Sequence, residues 1–138
     1  MVIDGNKLIL GRVAAAAAKK SLEGEQVIIV NCEKMIITGN PKRILQKFKE
    51  RQDKGGPYTG PFFPKMPDRV VRRTIRGMLP YKKWRGKTAY KRVKCFIGIP
   101  KEYKTQKFET VNNADASKLT TLKFITVGDL SRFYNKKF

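Results

Sequence analysis

The chain has 138 residues and carries 31 Lys and Arg against 11 Asp and Glu, a formal net charge of +20. Because 41% of the residues are hydrophobic, the composition predicts a folded protein with a core and excludes a disordered basic tail. The complete absence of histidine excludes most acid–base, triad and metal-site chemistry, so we expect no catalytic site, no cofactor and no bound metal. The length fits a single domain, 1–138.

The positive charge is concentrated in the middle of the sequence. Residues 61–107 hold 15 basic and 2 acidic residues, whereas residues 1–60 hold 11 and 6, and residues 108–138 hold 5 and 3. The two ends of the sequence therefore have the composition of an ordinary scaffold, and we expect the middle third to bind a polyanion.

Residues 1–50 predict a small α/β unit. Short apolar runs predict strands at Val2–Asp4, Lys7–Leu10, Val27–Val30 and Met35–Ile37. The alanine-rich stretch Gly11–Leu22 predicts a helix, and Asn40 and Pro41 predict the cap and first residue of another. Val27–Val30 is wholly β-branched, which is typical of a parallel strand buried on both faces.

The segment Arg51–Pro67 has a different texture, with Gly55, Gly56, Gly60 and four prolines. Prolines at this density exclude a helix or an inner strand, so the segment predicts a long loop. Its aromatic residues argue against a simple flexible linker, and we expect the loop to become ordered when these residues pack against a surface. These aromatic residues are Tyr58, Phe62 and Phe63.

The next segment, Pro67–Pro80, predicts a helix with two contrasting faces. At 100° per residue, one face carries Arg69, Arg72, Arg73 and Arg76. The opposite face carries Val70, Val71, Thr74, Ile75 and Met78. The segment has one acidic residue, Asp68 at its N-terminal end, whereas a solvated charged face usually mixes both signs. This row of arginines therefore predicts a face that binds phosphate, because the planar guanidinium group matches the geometry of phosphate oxygens well.

The stretch Tyr81–Lys87 predicts a basic turn that projects outward between Pro80 and Gly86. Its cations are expected to contact phosphate, and its aromatic residues suit unpaired bases. Trp84 could either stack on a base or pack down as an anchor, and the sequence leaves both alternatives open. The cations are Lys82, Lys83, Arg85 and Lys87. A Walker A loop at Gly86-Lys87-Thr88 is excluded, because the required earlier glycine is Tyr81.

The remaining sequence predicts a helix at Thr88–Arg92, strands at Val93–Ile97 and Leu122–Ile125, and a final helix. The spacing of Thr126 and Asp129 predicts a capping box at the start of that helix. Leu130, Phe133 and Tyr134 are expected to share one helix face.

The two cysteines, Cys32 and Cys95, lie in or beside apolar runs without CxxC spacing, which favours buried thiols in a reducing compartment. No apolar run is long enough to cross a bilayer. Asp4 and Arg12 argue against a signal peptide, so we expect an intracellular protein.

Several motifs together resemble a known family. RRTIRGMLP, RGK and GIP occur in order within Arg69–Pro100, after LGR at Leu10–Arg12 and VNCEKMIITGN at Val30–Asn40. With these motifs in this order, nearly the whole chain resembles the large-subunit ribosomal protein family numbered thirteen, in its archaeal–eukaryotic branch. Trp84 departs from the family pattern. The lack of a long basic helical extension favours the archaeal type.

The resemblance implies a three-layer α/β/α fold with a small, mostly parallel sheet of about four strands plus basic loops. It also implies a structural constituent of the large ribosomal subunit that binds ribosomal RNA, is added early in assembly and lies beside other ribosomal proteins. We expect a cytoplasmic protein in ribosomes, with no membrane contact and no homo-oligomer. The expected RNA-binding segment is 51–94, with Arg69, Arg72, Arg73, Arg76, Lys82, Lys83, Trp84, Arg85 and Lys87.

A general nucleic-acid-binding or DNA-compacting protein is the alternative, because it would share the positive charge. Such a protein should carry a helix–turn–helix pair or a dimerising face, and the sequence indicates neither. An enzyme acting on RNA would need a general base or a metal site, for which no suitable cluster of residues occurs.

Overall fold

The fold, described for residues 1–134 by a computed structural model, combines five short strands with five α-helices. In chain order the elements are β1 (Val2–Asp4), α1 (Leu10–Glu23), β2 (Val27–Val30), β3 (Ile36–Thr38), α2 (Pro41–Asp53), α3 (Pro67–Gly77), α4 (Trp84–Lys91), β4 (Val93–Cys95), β5 (Phe124–Thr126) and α5 (Val127–Tyr134). None of the helices in this range is both long enough and apolar enough to span a membrane.

The central sheet has three parallel strands in the order β1-β2-β4. Ile3 lies opposite Ile29, and Ile29 lies opposite Cys95. Every residue of β2 is buried, because strands pair with both of its edges and side chains cover both of its faces. This confirms the prediction of a doubly buried parallel strand.

The two faces of the sheet are covered differently. Ile3, Ile29 and Val93 contribute to the main core beneath α1, α3 and α4, where the alanines of α1 allow close packing. The opposite face is covered by residues 96–108, which include a short 3₁₀ helix, Lys101–Tyr103. This second cluster consists of Val2, Ile28, Val30, Phe96, Ile99, Tyr103 and Phe108.

The predicted α/β class and mostly parallel sheet are confirmed, with two differences. The layer predicted as α-helical on the second face is segment 96–108 with its 3₁₀ helix, and the strands are grouped differently. β3 leaves the central sheet and pairs antiparallel with β5. The cause lies just after β2, where Asn31 adopts a left-handed conformation (φ 54°) and the 3₁₀ turn Cys32–Lys34 redirects the chain. The sheet therefore holds three strands, and the other two form a separate ribbon.

Two helix caps form as predicted from the sequence. The side chain of Asn40 accepts a hydrogen bond from the Lys42 N–H at 3.1 Å. At the start of α5, the Asp129 N–H donates to Thr126 Oγ1 at 3.0 Å, and the Thr126 hydroxyl donates to Asp129 Oδ2 at 2.6 Å. These contacts satisfy backbone N–H groups that helix ends leave unpaired.

The strand predicted at Lys7–Leu10 forms only in part, as two isolated β-bridges that join Leu8 to Asp115 and Ile9 to Ile36. Lys7 has a positive φ of 56°, and the Leu8 N–H donates to the Gly5 carbonyl at 3.2 Å, so the chain turns there. Leu10 is already the first residue of α1. Met78, assigned by spacing to the apolar face of the arginine helix, is exposed because α3 ends at Gly77.

Candidate nucleic-acid interface

Helix α3 presents its arginines along one side, as the spacing predicted. Val70, Val71 and Ile75 are buried in the core, whereas Arg69 is exposed and the other arginines are half-buried. All four border one open groove of about 570 Å³, which we call the arginine groove. The arginine groove is lined by Phe62, Phe63, Pro64, Arg69, Arg72, Arg73, Arg76 and Tyr90.

Aromatic rings of the same chain lie against three of these guanidinium groups. Arg72 Cζ is 4.5 Å from the ring centre of Tyr90, and Arg76 Cζ is 4.8 Å from that of Tyr81. Arg73 Cζ lies 5.8 Å from the ring centre of Phe63. Such cation–π contacts orient a guanidinium group without neutralising it.

The arginines of α3 form no ion pair with any carboxylate of residues 1–134. The ion pairs within that range join Lys20 to Glu23 and Glu25, and Arg132 to Asp129. Moreover, Nε of Arg72 is buried without a hydrogen-bond partner among the described residues. The positive charge of the groove is therefore not neutralised within the described part of the chain.

The predicted basic turn is half helical. Helix α4 begins at Trp84, earlier than the predicted start at Thr88, and the Lys83 N–H donates to the Pro80 carbonyl at 2.9 Å. Gly86 is what allows this arrangement, because a Cβ there would lie 2.1 Å from the Pro80 oxygen. The exposed cations of this region are Lys82, Lys83, Arg85 and Lys87.

The exposure of Trp84 decides between the two alternatives that the sequence left open for its side chain. Its side chain is 81% exposed, so it does not pack into the core as an anchor. It stands at the first residue of α4, between the exposed cations Lys83 and Arg85. An exposed indole beside cations suits stacking on a base.

The sequence did not reveal the rings beneath the arginines. Tyr90 lies 18 residues after Arg72 and on a different helix, so only the tertiary fold, in which α1 packs against both α3 and α4, brings them together. Tyr81 and Tyr90 also touch each other edge to face, with ring centres 5.4 Å apart. The excess of aromatic residues around the basic segment was the available signal.

The cysteines do not form part of this surface. The backbone N–H of Cys32 donates to the Phe96 carbonyl at 3.1 Å, which places Cys32 beside the end of β4. The neighbouring Cys95 thiol, together with burial, raises the pKa of Cys32 above its ordinary value, and the Cys32 thiol donates to the Ile29 carbonyl at 3.6 Å. Within residues 1–134, no three Cys, Asp or Glu side chains are grouped as a metal site would require.

A basic α/β protein with an arginine row and exposed aromatic rings is typical of the nucleic-acid-binding class. A profile of the family Ribosomal protein L13 matches residues 1–102. The chain therefore belongs to the ribosomal protein L13 family, as its motifs predicted, and it is a structural ribosomal component and not an enzyme.

Archaeal relatives are similar over nearly the whole chain. The large ribosomal subunit protein uL13 of Methanococcoides burtonii is 44% identical over 137 residues, with 99% of each chain covered. The protein of that name from Methanosarcina barkeri is 45% identical over 138 residues, again with 99% of each covered. That of Archaeoglobus fulgidus is 41% identical over 133 residues, covering 96% of this chain and 85% of the relative.

Proposed function

We propose that this protein is a structural constituent of the large ribosomal subunit and that it binds ribosomal RNA through segment 51–94. The observation that carries the proposal is the arginine groove, where four guanidinium groups border one surface without an ion pair to the described residues. RNA phosphates would supply the missing negative charge. The proposed contacts are Arg69, Arg72, Arg73, Arg76, Lys82, Lys83, Trp84, Arg85 and Lys87.

Two arguments favour binding of these cations to the phosphate backbone of RNA, where they would position the protein. Arg72, Arg73 and Arg76 are held by aromatic rings, so phosphate binding costs less side-chain freedom. The lysines lie in the exposed turn before α4 and on the first turn of that helix, and they act as point charges, which bind phosphate without demanding one orientation. Contacts of both kinds fix a protein on RNA with little dependence on sequence.

The family resemblance implies when and where the protein acts. Membership of the ribosomal protein L13 family supports addition early in subunit assembly. The relatives are named as large-subunit proteins, and this supports neighbouring ribosomal proteins as further partners. The protein acts as one copy in a single domain, 1–138, in the cytoplasm and away from membranes.

The double substitution Arg72→Glu/Arg73→Glu tests the proposal. It should block incorporation into large subunits and lower the log–log salt dependence of RNA binding by about 0.7 for each phosphate that is no longer bound. The matched control is Lys42→Glu/Lys49→Glu, which makes the same charge change at exposed positions of α2. Normal incorporation of the arginine variant, with circular dichroism showing a native fold, would contradict the proposal. Equal affinity of the native protein for duplex DNA would favour the DNA-compacting alternative.

A further inference from the structure

The arginine groove has two walls of different chemistry. One wall is the arginine row of α3, and the other is the apolar end of the proline-rich loop, Phe62 to Pro64. Its volume of about 570 Å³ lies within the range of roughly 300–1,000 Å³ that is usual for small-ligand pockets. A groove that combines charge and an aromatic wall suits a ligand that combines an anion and a ring.

Phe62 is the ring of this groove that lies free. Arg72 covers Tyr90 and Arg73 covers Phe63, whereas no cation or other ring of residues 1–134 lies against Phe62. Its side chain is 73% exposed, although burial would remove a large apolar area from water. An exposed ring beside guanidinium groups is therefore available to a planar ligand.

The loop that carries Phe62 is closed at its base. Gly55 has a φ of 85°, and a Cβ there would lie 2.5 Å from Gly60 Cα. The Gly60 N–H donates to the Gly56 carbonyl at 2.9 Å. At the far end of the loop, Ser131 Oγ donates to the Lys65 carbonyl at 2.6 Å, which ties the loop to α5. Phe62 is thus presented from a loop fastened on both sides.

We propose that the arginine groove binds one unpaired RNA nucleotide, with its phosphate on the arginine row and its base stacked on Phe62. This inference rests on the proposed function, which supplies the RNA. In a regular duplex both faces of each base are covered by neighbouring bases, so only a bulged, looped or terminal nucleotide can present a face to Phe62. The groove therefore selects an irregular position in the RNA, whereas the cations of the turn and α4 bind backbone of any kind.

Two hairpin RNAs that differ by one nucleotide test this. One carries a single bulged 2-aminopurine, and the other has a uridine opposite that base, so that the base is paired. The native protein should bind the bulged hairpin about tenfold more tightly and quench its fluorescence, because stacking on an aromatic ring contributes about 1–3 kcal/mol per base. Phe62→Ala should abolish both the preference and the quenching. Phe62→Trp should keep both, since it retains a planar ring.

Leu122→Ala is the control, because Leu122 is an exposed apolar residue outside the groove. If Phe62→Ala lowers affinity for both hairpins equally, or changes neither, the nucleotide site is wrong while the proposed RNA surface stands. If Arg72→Glu/Arg73→Glu binds both hairpins as tightly as the native protein, the RNA surface itself is wrong. The two failures are therefore distinguishable.

Discussion

At the residue scale, the motifs of this chain are explained by close contacts between backbone segments. The glycine of RGK, Gly86, lies against the carbonyl of Pro80, which ends RGMLP. The two motifs therefore meet in space and set the angle at which α4 leaves the turn. Helix α4 also carries Tyr90, the ring that lies beneath Arg72 in the arginine groove.

Gly86→Ala should destabilise the protein by about 1–3 kcal/mol, because the added Cβ would lie 2.1 Å from the Pro80 oxygen and the backbone must shift. Gly11→Ala is the control, since a Cβ at that position in α1 meets nothing within 4 Å. It should stabilise the helix by about 0.5–1 kcal/mol. Urea unfolding of both variants measures the two changes. A Gly86→Ala midpoint equal to that of the native protein would contradict this account.

Cys32 should resist alkylation in the folded protein. The neighbouring Cys95 thiol and the burial of Cys32 both raise the pKa of Cys32, so the reactive thiolate is scarce at neutral pH. Iodoacetamide at pH 8, followed by mass spectrometry, should modify Cys95 first, because Cys95 is only half-buried. In denaturant both cysteines should react at similar rates. Modification of native Cys32 at the rate of a free thiol would show that it is not enclosed.

At the element scale, local signals predicted structure well and long-range contacts limited the rest. The caps at Asn40 and Thr126 were predicted because a cap needs only residues within one turn. The strand predicted at Lys7–Leu10 is reduced to two isolated bridges because the chain turns at Lys7, whose positive φ has no strong local signal. The early start of α4 depends on the close approach of Gly86 to the Pro80 carbonyl six residues earlier, a geometry that residue preferences alone do not specify.

The candidate site divides in the same way. The arginine row follows from helix periodicity, which is a local property of the sequence. The rings over which the arginines lie come from the loop before α3 and from the turn and helix after it, so their positions depend on tertiary packing. Sequence alone therefore predicts which cations share a face, whereas the fold determines how they are held.

Thr126→Ala should destabilise the protein by about 1 kcal/mol, because it removes the side-chain oxygen that caps α5. The effect should extend beyond α5, since the Tyr134 hydroxyl donates to the Leu45 carbonyl at 3.1 Å and links this helix to α2. Thr110→Ala, at another exposed threonine, serves as the control. Thermal unfolding should separate the two variants, and identical melting temperatures would exclude a stabilising cap.

At the scale of the whole molecule, one property has opposite consequences for folding and for binding. The formal charge of +20 is spread over 138 residues, and the cations crowd towards the middle of the sequence. In the free protein these charges repel one another and oppose the compact state. On RNA the same charges attract phosphate, and the attraction weakens as salt screens it.

The free protein should therefore become more stable as salt is added, while its RNA affinity falls. Raising sodium chloride from about 50 to 500 mM shortens the screening length from roughly 14 to 4 Å, so repulsion between cations weakens. Differential scanning calorimetry of the free protein should show a higher melting temperature at the higher salt. A melting temperature that falls with salt would mean that attractive ion pairs, and not repulsion, dominate the free protein.

The variant Arg72→Glu/Arg73→Glu provides an internal check on the cause. Each substitution removes one positive charge and adds one negative charge, so the formal charge falls from +20 to +16. Both positions lie in the region where the cations are most crowded. The salt-induced rise in melting temperature should therefore be smaller in this variant than in Lys42→Glu/Lys49→Glu, which also carries +16. Equal rises in the two variants would show that net charge alone sets the effect. A larger reduction in the arginine variant would locate the repulsion in the groove that RNA is proposed to fill.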